Sequence, residues 1–209
     1  MTNEISRYIP YGRQNISDDD IDSLMASLEV PLNLEIAATQ EMLNIALHHK
    51  PHAACIVPEK RKERTTEGGL DAASGTKQLT PYVNMLNDAG IRVSLFIEPD
   101  RTQLEAAFAL GAPVVDLHTG AYCNASIKNR DAQFQRIADA SKLAVELGLE
   151  CHAGHGLTFE TVKPIAALKN IKELNIGHFI IGEAIFNGLD SSIEHMQLLM
   201  KEAREEQST

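Results

Sequence analysis

Residues 149–160, LECHAGHGLTFE, set a short apolar run before two histidines spaced three apart, with a glycine on each side of the second. Leu149 to Gly154 has the length and composition of a strand buried on both faces. Gly154 and Gly156 argue against a helix, so His152 and His155 do not share a helical face. In an extended chain, residues three apart point to opposite sides of a sheet, which suits joint metal ligation poorly. Gly154-His155-Gly156 ends the strand, and LTFETVKPIAAL follows as an amphipathic segment with Thr158 as its expected N-cap. Backbone N–H groups at such a helix start bind anions. The stretch therefore reads as strand, anion-binding turn and helix.

The same unit recurs outward in both directions. Short apolar runs occur at PLNLEIA (31–37), AACIVPE (53–59), IRVSLFIEP (91–99), APVVDLHTG (112–120) and LNIGHFIIG (174–182). Between them lie helical patterns: EMLNIALHH (41–49), YVNMLNDAG (82–90), RTQLEAAFALG (101–111), FQRIADASKLAVELG (134–148) and SSIEHMQLLMKEA (191–203). Three of these end at a glycine, as helices often do. Alternating strands and helices imply parallel βαβ units, and six are visible.

Two architectures use such units, an open doubly wound sheet and a (β/α)8 barrel. The glycine-rich turn expected after a first dinucleotide-binding strand is absent. Polar residues instead fall at the C-terminal ends of several strands: Glu35, Glu59, Glu98, His118, His155 and His178. A site assembled from many strand ends is the barrel pattern. In barrels, phosphate commonly sits between the loops after strands 7 and 8 and a short extra helix. The last two loops here, at Gly156 and at Gly177-His178, fit those positions. Counting backwards makes the six units strands 3 to 8 of a barrel. The expectation is one TIM-barrel domain over residues 1–209, incomplete at its N-terminus.

Composition narrows the partners. With a formal net charge of −10, the surface repels nucleic acid and anionic membranes, so neither is expected as a partner. Small phosphorylated substrates need only a local positive site. The three cysteines, Cys55, Cys123 and Cys151, lack C-x-x-C spacing and read as buried free thiols in a reducing compartment. The opening MTNEISRYIPYGR has no apolar core of a signal peptide, and no apolar run reaches the ~20 residues of a membrane span. A cytoplasmic location is expected.

Within LNLEIA, alternation sends Asn33 and Glu35 to one side and Leu34 and Ile36 to the other. A carboxylate in an apolar strand is either a buried ion pair or a functional group. The acids and histidines at neighbouring strand ends favour the second, as a general acid or base. VPEKRKERTTEGGLD (57–71) leaves its strand into a polar loop with Lys60, Arg61, Lys62 and Arg64, then Thr65, Thr66 and two glycines, suited to closing over a phosphorylated ligand. His118 reads equally as a third site histidine or as a core histidine bonded to backbone. His48, His49, His52 and His195 read as surface or structural. No ligand spacing supports a metal site.

These residues resemble the pyridoxine 5′-phosphate synthase family of vitamin B6 biosynthesis. The matching stretches are LNLEIAATQEML, KPHAACIVPEKRKERTTEGGLD, DAGIRVSLFIEPD, GAPVVDLHTGAY, AGHGLT and ELNIGHFIIGEAIF, in order from about residue 15 onward. The resemblance implies a (β/α)8 barrel that condenses 1-deoxy-D-xylulose 5-phosphate with 3-amino-2-oxopropyl phosphate. Pyridoxine 5′-phosphate, phosphate and water are released, without metal or organic cofactor. It implies Glu35 as proton acceptor and His155 as proton donor. Asp116 stands where the family usually has a glutamate that stabilises the transition state. Thr65 is implied as a contact to the deoxyxylulose phosphate, and Gly156, Gly177 and His178 as the cradle of the aminooxopropyl phosphate. A homo-oligomer, an octamer by resemblance, is also implied.

The start departs from the family pattern. The N-x-D-H and H-x-R motifs of the family's first two strands have no counterpart, since no histidine precedes His48. Only GRQNISDDDI resembles the family there, with Arg13 matching one of its arginines and Asn15 standing where a phosphate-binding histidine often lies. Two readings follow. One is an active synthase; the other is a catalytically silent barrel fragment that binds phosphate near His178 or joins an oligomer.

Overall fold

A computed structural model describes residues 16–58 and 68–206, together with the backbone of residues 5–8. Among the described residues, seven strands pair in parallel and in chain order: β1 (Ile5–Tyr8), β2 (Leu32–Ala37), β3 (Ala53–Val57), β4 (Arg92–Ile97), β5 (Val114–His118), β6 (Glu150–Gly154) and β7 (Ile171–Asn175). A doubly wound sheet reverses its strand order at a switch point. This order has no reversal, so the α/β barrel reading holds.

Strands β2 to β7 are the six expected from the sequence. β1 is an addition, running beside β2 with Ile5 opposite Leu32 and Tyr8 opposite Glu35. ISRY carries one aliphatic residue, too little pattern to declare a strand. β7 also corrects the expected 174–182. Its strand is Ile171–Asn175, and HFII opens a helix. HFIIGEAIFN is apolar at almost every position, and such a run has no period by which to tell strand from helix.

Nine helices occur among the described residues: α1 (Asp18–Ser27), α2 (Gln40–His49), α3 (Ala72–Asp88), α4 (Arg101–Leu110), α5 (Gly120–Cys123), α6 (Ile127–Glu146), α7 (Val162–Ala167), α8 (His178–Asn187) and α9 (Leu189–Glu205). Their starts follow local chemistry. Ser17 and Asp20 form a reciprocal capping box on α1, and Thr39, Asp71 and Asp100 each accept a backbone N–H three residues on. Gly111 ends α4 at φ 77°, a left-handed conformation that glycine adopts without steric cost. Thr158 does not cap a helix. It bonds instead to Thr161, and α7 begins at Val162.

Alternation along the strands sorts two kinds of interior. Leu34, Ile36, Ala54, Ile56, Val93, Leu95, Val115 and Leu117 face the helices and join Leu43, Leu86, Leu104 and Ile137 in one continuous apolar core. Each fully buried Leu or Ile contributes roughly 1.5–3 kcal/mol. The other face is mostly polar: Asn33, Ser94, Asp116, His118, His152 and Glu173 are all buried there, and Cys55, Val57 and Phe96 make a small separate apolar cluster.

That polar face curls on itself. Parallel strands lie about 4.8 Å apart, so β5 and β7 in a flat sheet would be separated by nearly 10 Å. Yet the Asn175 side chain of β7 reaches the Asp116 carboxylate of β5 at 2.9 Å. The charge of Glu35 on β2 is felt at Asp116, three strands away. The sheet therefore wraps a polar lumen, with the C-terminal ends of its strands forming one mouth.

Candidate functional site

The lumen has two levels. At the lower one, Arg92 opens β4 and Glu150 opens β6, and the two form an ion pair. His152 stands next to them, its Nε2 2.7 Å from Glu150 Oε1 and its Nδ1 3.5 Å from Glu173 Oε1. His152 is 2% exposed, so this histidine is held within the wall, away from the mouth.

Above it, register places Asp116 opposite His152 and Phe96 opposite Asp116. Asp116 Oδ2 accepts from Asn175, while Oδ1 is buried with no partner among the described residues. Burial pushes the Asp116 carboxyl well above its usual range, and the charges of Glu35 and Glu173 push it further. Asn175 opposes the shift by bonding to the charged form. The Cys55 thiol is raised too, first by burial and then by Asp116 and Glu35. Glu35 itself lies half-buried on the same inner face, paired in register with Cys55.

The mouth is built on the ends of β4, β5 and β6. Glu98 follows β4 and meets His118, the last residue of β5, at 2.8 Å from Oε1 to Nδ1. The His118 ring packs between Phe96 and His155, with centroids 5.2 and 5.0 Å away. His155 lies one residue beyond β6 and has φ 78°. Simple alternation would send His155 away from His152. The left-handed residue turns the chain instead, and its ring lies over the same inner face as His118 and Phe96.

Backbone contacts hold that turn. The His155 N–H donates to the Asn175 carbonyl at 3.3 Å, and the Thr119 hydroxyl lies 2.6 Å from the His155 carbonyl. Gly120 leaves room for both rings, since a Cβ there would stand 2.6 Å from His118 Nε2 and 3.3 Å from His155 Cδ2. Only glycine allows this approach.

The residues of the expected phosphate cradle leave neighbouring strands together. Gly154 of β6 pairs with Asn175 of β7, and Gly156 and Gly177 each follow two residues later. Gly156, Gly177 and His178 are all exposed. His178 begins α8, and Gly177 precedes it without a side-chain cap on the helix amides. The anion-binding helix start expected after Gly156 is displaced, because α7 begins six residues further on, at Val162. Thr65, Arg13 and Asn15, and the basic residues 60–64, lie outside the described residues.

Sequence reasoning singled out Glu35, Asp116 and His155, and the structure brings these three to one lumen. It left His118 undecided and missed Asn175, Thr119 and the pairing of Glu98 with His118. Asn175 was detectable in principle. Once β7 is placed at 171–175, Glu173 and Asn175 fall on the period-two face that points inward. Among the described residues, no group of three or more His, Cys, Asp or Glu is arranged to hold a metal ion, and no helix is long and apolar enough to cross a membrane.

Acid, base and histidine groups gathered on one barrel's strand ends define an α/β-barrel enzyme equipped for proton transfer. The profile of a family described as pyridoxal phosphate biosynthesis protein PdxJ matches residues 4–202. A protein named pyridoxine 5′-phosphate synthase from Rhodospirillum rubrum is 61% identical over 200 residues, covering 95% of this chain and 80% of that one. One of the same name from Zymomonas mobilis is 59% identical over 202 residues, covering 97% and 79%. The chain belongs to the PdxJ family. In fold alone, it is also similar to phosphoribosyl anthranilate isomerase from Thermus thermophilus, at TM-score 0.58 and 13% identity, over 95% of this chain and 86% of that one.

Proposed function

We propose that the protein is a pyridoxine 5′-phosphate synthase. It joins 1-deoxy-D-xylulose 5-phosphate to 3-amino-2-oxopropyl phosphate and closes the pyridine ring, with release of phosphate and water. The observation that carries this reading is the placement of Glu35, Asp116 and His155 around one lumen, in a chain 61% identical to a relative of that name.

The chemistry asks for these groups. An amine condensing with a ketone loses water, and each departing hydroxide needs a proton. Forming the ring carbon–carbon bond needs a proton taken from a carbon beside a carbonyl. Glu35, half-buried near other acids, is the acceptor in this scheme. His155, held at the mouth by Thr119 and Asn175, is the donor. Asp116, whose carboxyl is pushed toward the neutral form, offers a hydrogen bond to oxygen that gains negative charge. Gly156, Gly177 and His178 would cradle one substrate phosphate on backbone amides and the first turn of α8. Thr65, Arg13 and Asn15 are assigned to substrate binding by resemblance alone. The partners in this scheme are small phosphorylated molecules and further copies of the chain.

The test is direct. Purified protein is given both substrates, and pyridoxine 5′-phosphate and inorganic phosphate are measured. Equal amounts of both products are expected. Glu35→Gln and His155→Asn should each lower turnover by roughly 10²–10⁴-fold with the fold retained. Absence of the pyridine product from the wild-type chain overturns the proposal. Wild-type rates in either variant overturn the role of that residue.

A further inference from the structure

Glu98 and His118 have no role in the scheme above, yet the His118 ring packs on its proton donor and Glu98 holds that ring. We propose that Glu98 and His118 form a positioning couple that fixes the His155 ring in its working orientation. The inference rests on the synthase reading, in which His155 delivers the proton.

The geometry begins at the carboxylate. Glu98 Oε1 lies 2.8 Å from His118 Nδ1 and also accepts the Gly69 N–H at 3.2 Å, while Oε2 stands 3.8 Å from the Arg136 guanidinium. Three partners from three elements hold the group in place. The bond from His118, ahead of the other causes, keeps the Glu98 carboxyl below its usual range, so it is ionised at neutral pH. An ionised carboxylate only accepts. Nδ1 of His118 therefore carries the hydrogen, and in the neutral ring Nε2 is a bare acceptor.

That nitrogen is the second clue. Nε2 is buried and has no partner among the described residues, in a side chain 6% exposed. A buried polar atom left without a bond is costly, and a native site that keeps one calls for a reason. The reason lies in what the ring touches. Its far side packs on His155, and its near side packs edge-on against Phe96. The His155 backbone is pinned by Thr119 and Asn175, and its ring packs against His118 at 5.0 Å and Phe96 at 6.2 Å between centroids. A charge on Glu98 sets the tautomer of His118, and the fixed ring of His118 sets the ring of His155.

Simple packing makes a different forecast, since Glu98→Gln preserves shape while removing the charge and turning one acceptor oxygen into a donor. With both substrates, Glu98→Gln and His118→Asn should each lower kcat roughly tenfold or more, with both KM values within about twofold of wild type. The double variant should be no slower than the slower single variant, and Glu98→Asp should recover part of the rate. Spectra of the free protein with 15N-labelled imidazoles give a readout independent of turnover. Wild-type His118 should carry its proton on Nδ1, and Glu98→Gln should move the His155 ring signals. The proposal is overturned if Glu98→Gln keeps kcat within twofold, if the loss falls on KM alone, or if the His155 signals stay in place. A wild-type chain that makes no pyridine product defeats the synthase reading instead, and the ring spectra still decide the positioning couple.

Discussion

Asn175 donates to Asp116 Oδ2 at 2.9 Å across the lumen, and among the described residues it is the interaction that favours the charged form of that carboxyl. Burial, Glu35 and Glu173 all act the other way, and they prevail. The unfolded chain releases this proton near pH 3.9, while the folded chain holds it to higher pH. Between those values the folded state binds more protons, so stability falls as pH rises. Asp116→Asn removes that slope and keeps the shape of the side chain. In urea unfolding, the variant should gain on wild type steadily as pH rises from about 4 toward neutral. Parallel stability profiles for the two proteins would refute the buried neutral acid.

His155 carries a backbone cost that its ring does not explain. A non-glycine residue at φ 78° is strained by about 1–2 kcal/mol, and His155→Ala keeps that strain while losing the ring. His155→Gly relieves it, less the greater freedom glycine brings to the unfolded chain. The glycine variant should therefore be more stable than the alanine variant by about 1 kcal/mol, while both lose turnover. Denaturant midpoints measure the difference. An alanine variant as stable as the glycine one would mean that the turn relaxes when the ring is gone.

How much of this was legible in the sequence depends on which residues repeat a pattern. Leu34 and Ile36 against Asn33 and Glu35 announce a two-faced strand, and the buried and lumen faces follow that division. Gly90, Gly111 and Gly148, which close three helices, all have positive φ. HFIIGEAIFN carries no period, and so the boundary of β7 was misplaced and Asn175 with it. The turn at His155 was hidden for another reason. A histidine gives no sign of left-handed backbone, and the atoms that stabilise it, from Thr119 and Asn175, come from elsewhere in the chain. Likewise the pairing of Glu98 with His118 joins residues 20 apart, which only the curl of the sheet brings together.

Two glycines separate a demand of the fold from a demand of the ligand. At Gly69, a Cβ would stand 2.5 Å from the backbone nitrogen of Glu98 and 2.5 Å from the carbonyl carbon of Ile97. Neither can give way without moving β4, so Gly69→Ala should lose roughly 1–3 kcal/mol of stability, read as a lower urea midpoint. At Gly177, nothing lies within 4 Å of the same added atom, and φ is −114°, open to any residue. The fold has no use for glycine there. Gly177→Ala should match wild type in stability to within about 0.5 kcal/mol. If the aminooxopropyl phosphate rests on that backbone, the methyl group occupies the phosphate's place. KM for 3-amino-2-oxopropyl phosphate should then rise roughly tenfold, a loss of about 1.4 kcal/mol in binding, while KM for 1-deoxy-D-xylulose 5-phosphate stays unchanged. An unchanged KM for both substrates would remove Gly177 from the cradle and leave Gly156 and His178 to account for it.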